Sequence, residues 1–287
     1  MPTPQSDFVL NNGTKIPSVI YGSYNAKGDD GVDAMVFALD KANYRGIDTA
    51  LFYNNHESVA KALKRTKVPR DQIFLQTKIW PTQMRDPEKW LDVCIEELGT
   101  YIDCFMIHWP IVLKPEGDRV IDTEWDFIKT WKLMEKLPKE KCRSIGVCNF
   151  TKKQLQQLLD ATDVVPVINQ CEFHPELPQQ KLVDFCQEHK ILPQAYRPMA
   201  KGQIFNDTIK GIAEKHKCDP GQVCLSWNVI RGVDVMPKSA TESRIISNRA
   251  LISLDESDME KIGLLGAKNY RSVSAVKPTG VDYFDEE

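Results

Sequence analysis

The chain reads as an α/β protein, a (β/α)8 barrel of the TIM type. An N-terminal β-hairpin closes its bottom, and two extra helices are added. Three observations predict this. Eight short runs rich in β-branched and apolar residues alternate with helical patterns, and no linker divides them, so residues 1–287 read as one domain. Three successive runs, RGIDTALFY (45–53), IFLQTKIW (73–80) and YIDCFMIHWP (101–110), each turn polar toward the C-terminal end, as buried strands do where their tips enter a site. Asn12-Gly13 stands between two short apolar runs in FVLNNGTKI, a strong hairpin signal.

Taken in order, SVIYGSY is the first barrel strand, with Gly22-Ser23 at its tip, and residues 29–43 form a helix burying Val32, Met35, Val36 and Leu39. Residues 45–53 supply the second strand, residues 57–64 a helix and residues 73–79 the third strand. Asp86-Pro87-Glu88 starts a helix that carries Trp90, Val93, Cys94 and Leu98 inward and stops at Gly99. The fourth strand covers 102–108, a polar loop 111–122 follows, and Thr123 begins a helix reaching Leu137. RSIGVCN is the fifth strand, and Thr151 caps the next helix. VPVINQCEF is the sixth strand, followed by a helix over 179–189, and ILPQAY is the seventh. Helices over 209–216 and 221–229 lead to the eighth strand, VDVMP, after which Lys238-Ser239-Ala240-Thr241 opens a helix holding Arg244 and Asn248.

Composition narrows the function. Apolar residues make up 42%, enough for a large core, and a net charge of −3 argues against nucleic acid as the main partner. No apolar run reaches membrane-spanning length and Met1 opens no charged-then-apolar leader. Eight cysteines without a C-x-x-C indicate neither a zinc site nor a disulfide framework. The expectation is a cytoplasmic protein, a monomer or weak dimer, whose partner is a small molecule.

Asp48, Tyr53, Lys78 and His108 fall at or just beyond three adjacent strand tips. A phenol is a poor acid, with an ordinary pKa of about 10. A neighbouring ammonium favours the phenolate and makes the phenol a better proton donor, and a carboxylate keeps that ammonium charged and aimed. An imidazole N–H can orient a carbonyl oxygen and stabilise charge developing there. Each residue alone is more often structural; the four together suit hydride addition to a carbonyl.

At these residues the chain resembles the aldo-keto reductases, through GIDTAxxY, TKIW and IHWP, and the similarity extends over nearly the whole sequence. The resemblance implies NADPH-dependent reduction of an aldehyde or ketone, with Tyr53 as proton donor and His108 orienting the carbonyl. It also places Ser23 and Asp48 at the cofactor, Asn149 and Gln170 on the carboxamide, and Tyr196 as the ring stacked on nicotinamide. Cys148 stands where the family has Ser. Arg197 stands where Ser is usual, and reads either as reaching the pyrophosphate or as a surface side chain. The segment MPKSATESR resembles the family's grip on the 2′-phosphate, matched by Lys238, Ser239, Thr241, Arg244 and Asn248, with Ser247 where Glu is frequent. G-x-G-x-x-G is absent after the first strand, and a barrel's phosphate site lies after strands seven and eight.

Tyr24, Trp80 and Trp109 are expected to wall the substrate pocket together with His108. Residues 267–287, with Tyr270, Tyr283 and Phe284, are expected either at the rim or as a frayed acidic end. Two other readings stand beside the reductase: a non-catalytic NADPH-binding or structural protein on the same barrel, and an isomerase or lyase using Lys78 as a Schiff base.

Overall fold

A computed structural model describes residues 2–115 and 120–273. The Asn12-Gly13 turn joins β1 (Asp7–Val9) to β2 (Lys15–Pro17), an antiparallel pair in the register Phe8↔Ile16. Gly13 sits at φ +83°, which that turn requires. Phe8, Leu10 and Ile16 are buried, and Asn11 Nδ2 donates to the Pro166 carbonyl at 3.0 Å, just ahead of the sixth barrel strand. The hairpin therefore covers the N-terminal ends of the strands.

Eight parallel strands follow: β3 (Tyr21–Gly22), β4 (Gly46–Asp48), β5 (Phe74–Ile79), β6 (Cys104–Ile107), β7 (Ile145–Cys148), β8 (Ile168–Glu172), β9 (Leu192–Tyr196) and β10 (Asp234–Val235). Each pairs with its sequence neighbour. The ring closes where Val19 bridges Val235 in parallel, with Ile20 N–H on the Val235 carbonyl at 3.0 Å and Val235 N–H on the Ser18 carbonyl at 3.1 Å. Both faces of the wall are covered, so the central strands are buried throughout. The predicted barrel is the observed one.

The outer helices are α1 (Gly28–Asp40), α2 (His56–Arg65), α3 (Pro87–Leu98), α4 (Phe127–Met134), α5 (Lys152–Ala161), α6 (Gln180–Glu188), α7 (Asp207–His216), α8 (Pro220–Ile230), α9 (Glu242–Arg249) and α10 (Glu256–Gly263). Local chemistry sets their ends. Asp86 accepts from Lys89 N–H, Pro87 needs no N–H in the first turn, and Gly99 closes α3 at φ +68°. Thr151 and Gln154 form a reciprocal capping box on α5.

Three sequence expectations shift. The first helix stops at Asp40, because the chain turns through left-handed Asn43. The fourth starts at Phe127 instead of Thr123, since Asp122 is spent on Arg85 and the Glu124 N–H while Asp126 caps the helix. The loop opening at Ile111 is not polar at its start: Ile111, Val112 and Leu113 are buried, and Leu113 pairs with Ile121 across it. A second apolar cluster, with Ile209, Ile212, Trp227, Leu254 and Ile262, binds the extra helices α7 and α10 to α8. Among the described residues no helix is long and apolar enough to cross a membrane.

Candidate active site

Asp48 ends β4, Tyr53 closes the 3-10 turn Leu51–Tyr53 that follows it, Lys78 lies in β5 and His108 follows β6. The parallel register brings these strand ends to one rim. Lys78, fully buried, donates to Asp48 Oδ1 at 2.5 Å, to the Thr49 carbonyl at 2.9 Å and to the Tyr53 hydroxyl at 3.3 Å. Burial alone would push this ammonium down, but Asp48 and then Tyr53 overrule it, and its pKa is raised. Lys78 is therefore charged, which leaves no free amine for a Schiff base.

Tyr53 differs from the sequence expectation. Burial pushes its phenol above the ordinary value, Lys78 pulls it down, and Asp48 pushes it up again, so the net shift is upward. The ammonium acts in the expected direction and is outweighed in the resting site. The phenol keeps its proton, which is the state a donor needs.

His108 packs edge-on against Tyr53, with ring centroids 5.8 Å apart. Burial, and then the Lys78 charge, hold its pKa well below the usual imidazole value. The ring is neutral and carries a single N–H. Its backbone carbonyl accepts from Asn149 Nδ2 at 2.9 Å. Trp80 meets the His108 ring edge-on at 5.1 Å, Tyr24 meets Tyr53 at 5.0 Å, and Trp109, next to His108 in sequence, is half-buried. Sequence reasoning missed Phe52, which stacks on Trp80 at 4.0 Å and is about half exposed. Its signal was its place in the same turn as Tyr53.

Further round the same rim lie the C-terminal ends of β7, β8 and β9. Asn149, at φ +62°, accepts from the Tyr196 hydroxyl at 2.8 Å, so two predicted nicotinamide contacts already touch. Gln170 is buried, and its amide nitrogen is spent on Asp48 at 3.0 Å and Gln194 at 2.8 Å; its carbonyl oxygen is the end left to meet a carboxamide. Ser23 is buried under the β3 tip, where its hydroxyl accepts from Asn55 Nδ2 at 3.0 Å. Cys148 is fully buried, and burial pushes its thiol up, so it is no thiolate.

Arg197 is partly exposed and turned toward the chain's last described residues. It donates to the carbonyl and hydroxyl oxygens of Ser272, both at 3.0 Å. Glu172, buried at the end of β8, takes the Ser272 N–H at 3.1 Å, the Ser272 hydroxyl and the Val273 N–H at 3.0 Å, with His174 at 3.2 Å. Residues 267–273 are thus anchored at the rim, where Tyr270 donates to Gln203 at 2.6 Å; Tyr283 and Phe284 lie outside the described residues.

The start of α9 is open to solvent. Lys238, Thr241 and Arg244 are exposed at the start of α9, while Ser239 and Asn248 are buried beside them. Ser239 Oγ accepts from Thr241 N–H at 3.0 Å, and its carbonyl is held by the Tyr21 hydroxyl at 2.7 Å. No side chain caps α9. A helix start with free N–H groups, flanked by an ammonium and a guanidinium, fits the phosphates of a dinucleotide.

The Aldo/keto reductase family pattern matches residues 19–265. The chain is 39% identical to an aldehyde reductase of Saccharomyces cerevisiae, with 89% of each chain covered. It is 40% identical to the glycerol 2-dehydrogenase (NADP(+)) of the same organism, with 88% of each covered. Among solved structures it superposes on the aldose reductase of Schistosoma japonicum with TM-score 0.91, 30% identity and 99% of each chain covered. A Bombyx mori aldo-keto reductase in complex with NADP gives TM-score 0.87 and 30% identity, again with 99% of each chain covered. A closed parallel barrel with the Asp48–Lys78–Tyr53 contact at its rim, together with these likenesses, makes the chain a member of the aldo-keto reductase family of oxidoreductases.

Proposed function

We propose that the protein is an NADPH-dependent reductase of aldehydes and ketones, with Tyr53 as proton donor and His108 orienting the carbonyl. The observation that carries this is Lys78 bridging Asp48 at 2.5 Å and Tyr53 at 3.3 Å, opposite a neutral His108. When bound at the rim, NADPH would supply the hydride. Lys238, Ser239, Thr241, Arg244 and Asn248 hold its phosphate end, and Asn149, Gln170 and Tyr196 hold its nicotinamide end. Ser23, Asp48 and Cys148 line the floor between them. Tyr24, Trp80 and Trp109, with Phe52, exclude water from the carbonyl.

The substrate oxygen lies between the Tyr53 hydroxyl and the His108 N–H. As negative charge grows on that oxygen, both groups stabilise it, and Tyr53 gives up its proton. The phenolate left behind sits beside the Lys78 ammonium, which lowers the cost of that transfer. The related aldehyde reductase and NADP-dependent dehydrogenase support the substrate and cofactor classes. The test is NADPH oxidation with a panel of aldehydes and ketones. Turnover is expected, and an inert protein across the panel defeats the reading.

A further inference from the structure

Beneath the tetrad, inside the barrel wall, Asp48 and Gln170 join a polar chain whose other members, Gln76, Gln194 and Asp234, the reaction as described does not use. Gln76 Nε2 donates to Asp48 Oδ1 at 2.7 Å, and Gln170 Nε2 donates to the same atom at 3.0 Å. Both nitrogens also donate to Gln194 Oε1, each at 2.8 Å. Gln194 Nε2 in turn donates to Asp234 Oδ2 at 2.6 Å and to Gln76 Oε1 at 3.2 Å. Gln76, Gln194 and Asp234 have no exposed surface, and Asp48 and Gln170 have 2% each.

The orientation of this chain is forced. Asp48, paired with Lys78, accepts, so Gln76 and Gln170 must each present nitrogen to it. Their second N–H then requires the oxygen of Gln194, and Gln194 is left with its nitrogen toward Asp234. Flipping one amide breaks several buried hydrogen bonds at once, a costly change where no water can compensate.

We propose that Asp234, Gln194, Gln76 and Gln170 are positioning residues that fix Asp48 and divide its charge, and so set how strongly Lys78 acts on Tyr53. The inference rests on the reductase reading above. Two amide N–H groups share Asp48 Oδ1 with the ammonium. Without them Asp48 draws harder on Lys78, Lys78 draws less on Tyr53, and the phenol becomes a weaker acid. Asp234 suits the far end as a neutral anchor. It shares the interior with Asp48 and one ammonium, its Oδ1 has no partner, and burial, helped by the Asp48 charge, pushes its carboxyl well above the usual range against hydrogen bonds from Gln194 and the Val235 N–H. The other groups facing Tyr53 are Cys148, which stays a thiol, the neutral His108 and the Tyr24 ring.

The test is the pH dependence of kcat for carbonyl reduction in wild type, Gln194→Met and Gln76→Met, both volume-conserving, with melting curves to confirm folding. The expected result is a basic limb moved to higher pH in both, kcat near neutrality lower by roughly three- to tenfold, and an unchanged NADPH dissociation constant. Asp234→Asn, which keeps an acceptor for Gln194, is expected to retain the wild-type limb. A rate loss equal at every pH with an unmoved limb, or kinetics unchanged in both Met variants, overturns the proposal. If Gln194→Met does not fold, Gln76→Met decides alone, because it removes a direct donor to Asp48. If wild type reduces no carbonyl, the reductase reading fails, and infrared spectra decide the relay. A protonated carboxylic acid band at neutral pH, lost in Asp234→Asn, supports it, and its absence in wild type overturns it.

Discussion

Lys78 and Lys238 stand at the same rim of the barrel and are held on opposite terms. Lys78 has no exposed surface and three oxygen partners within 3.3 Å, while Lys238 faces solvent at the mouth of an uncapped helix. The Asp48–Lys78–Tyr53 cluster is complete without any ligand. Its charges are already desolvated and paired, so little reorganisation remains for the reacting step. The start of α9 presents exposed cations, Lys238 and Arg244, whose worth at the proposed phosphate site depends on the anion they meet. Losing a partner should therefore be severe at the first end and graded at the second.

The sharpest test of that contrast is Tyr53→Phe. It removes the proposed proton donor and leaves the ring, so kcat is expected to fall by about 10²–10⁴-fold, while the NADPH dissociation constant, read by fluorescence titration, stays at the wild-type value. Retention of most of the rate would remove Tyr53 from its role. Lys78→Met leaves Asp48 buried without its ammonium, so about 3–5 kcal/mol of stability should be lost, read by urea denaturation, along with activity. A variant as stable as wild type would show that the amides on Asp48 suffice to hold its charge.

At the open end, Arg244→Ala should weaken NADPH by roughly tenfold, the worth of a charge-assisted phosphate contact, and leave NADH almost unchanged. Equal losses for both dinucleotides would contradict the 2′-phosphate assignment. Stability should not be affected.

The smallest effect concerns acid. His108 and His56 both have folded pKa values lowered chiefly by burial. A depressed imidazole binds fewer protons folded than unfolded, so its stability contribution is complete above the unfolded pKa of about 6.5 and declines as pH falls below it. The melting temperature should drop between about pH 6.5 and about pH 5, and drop less in His108→Gln. An identical slope in the variant would mean that His108 is charged in the folded protein.

The barrel and the tetrad were legible because their signals are local. A strand with Asp48, Lys78 or His108 at or near its end shows that polar tip within a few residues, and caps such as Asp86 and Thr151 declare themselves within one turn. What escaped depends on partners far apart in sequence. Arg197 was open between two roles because its partner, Ser272, lies 75 residues on. Gln76 and Gln194 look like polar interruptions in apolar runs, and only ring closure reveals that, 118 residues apart, they are bonded. The upward shift at Tyr53 was also hidden, since the neighbouring Lys78 can be read from sequence while the depth of burial cannot.

Seven of the eight cysteines are buried, and burial pushes the thiols of Cys94, Cys104, Cys142, Cys148 and Cys224 upward, Cys148 within the influence of Lys78 itself. Reactive aldehydes are electrophiles, and a thiolate beside the tetrad would compete with hydride for them and be alkylated in the process. Buried and protonated, the sulfurs at those five positions offer such an electrophile little to attack.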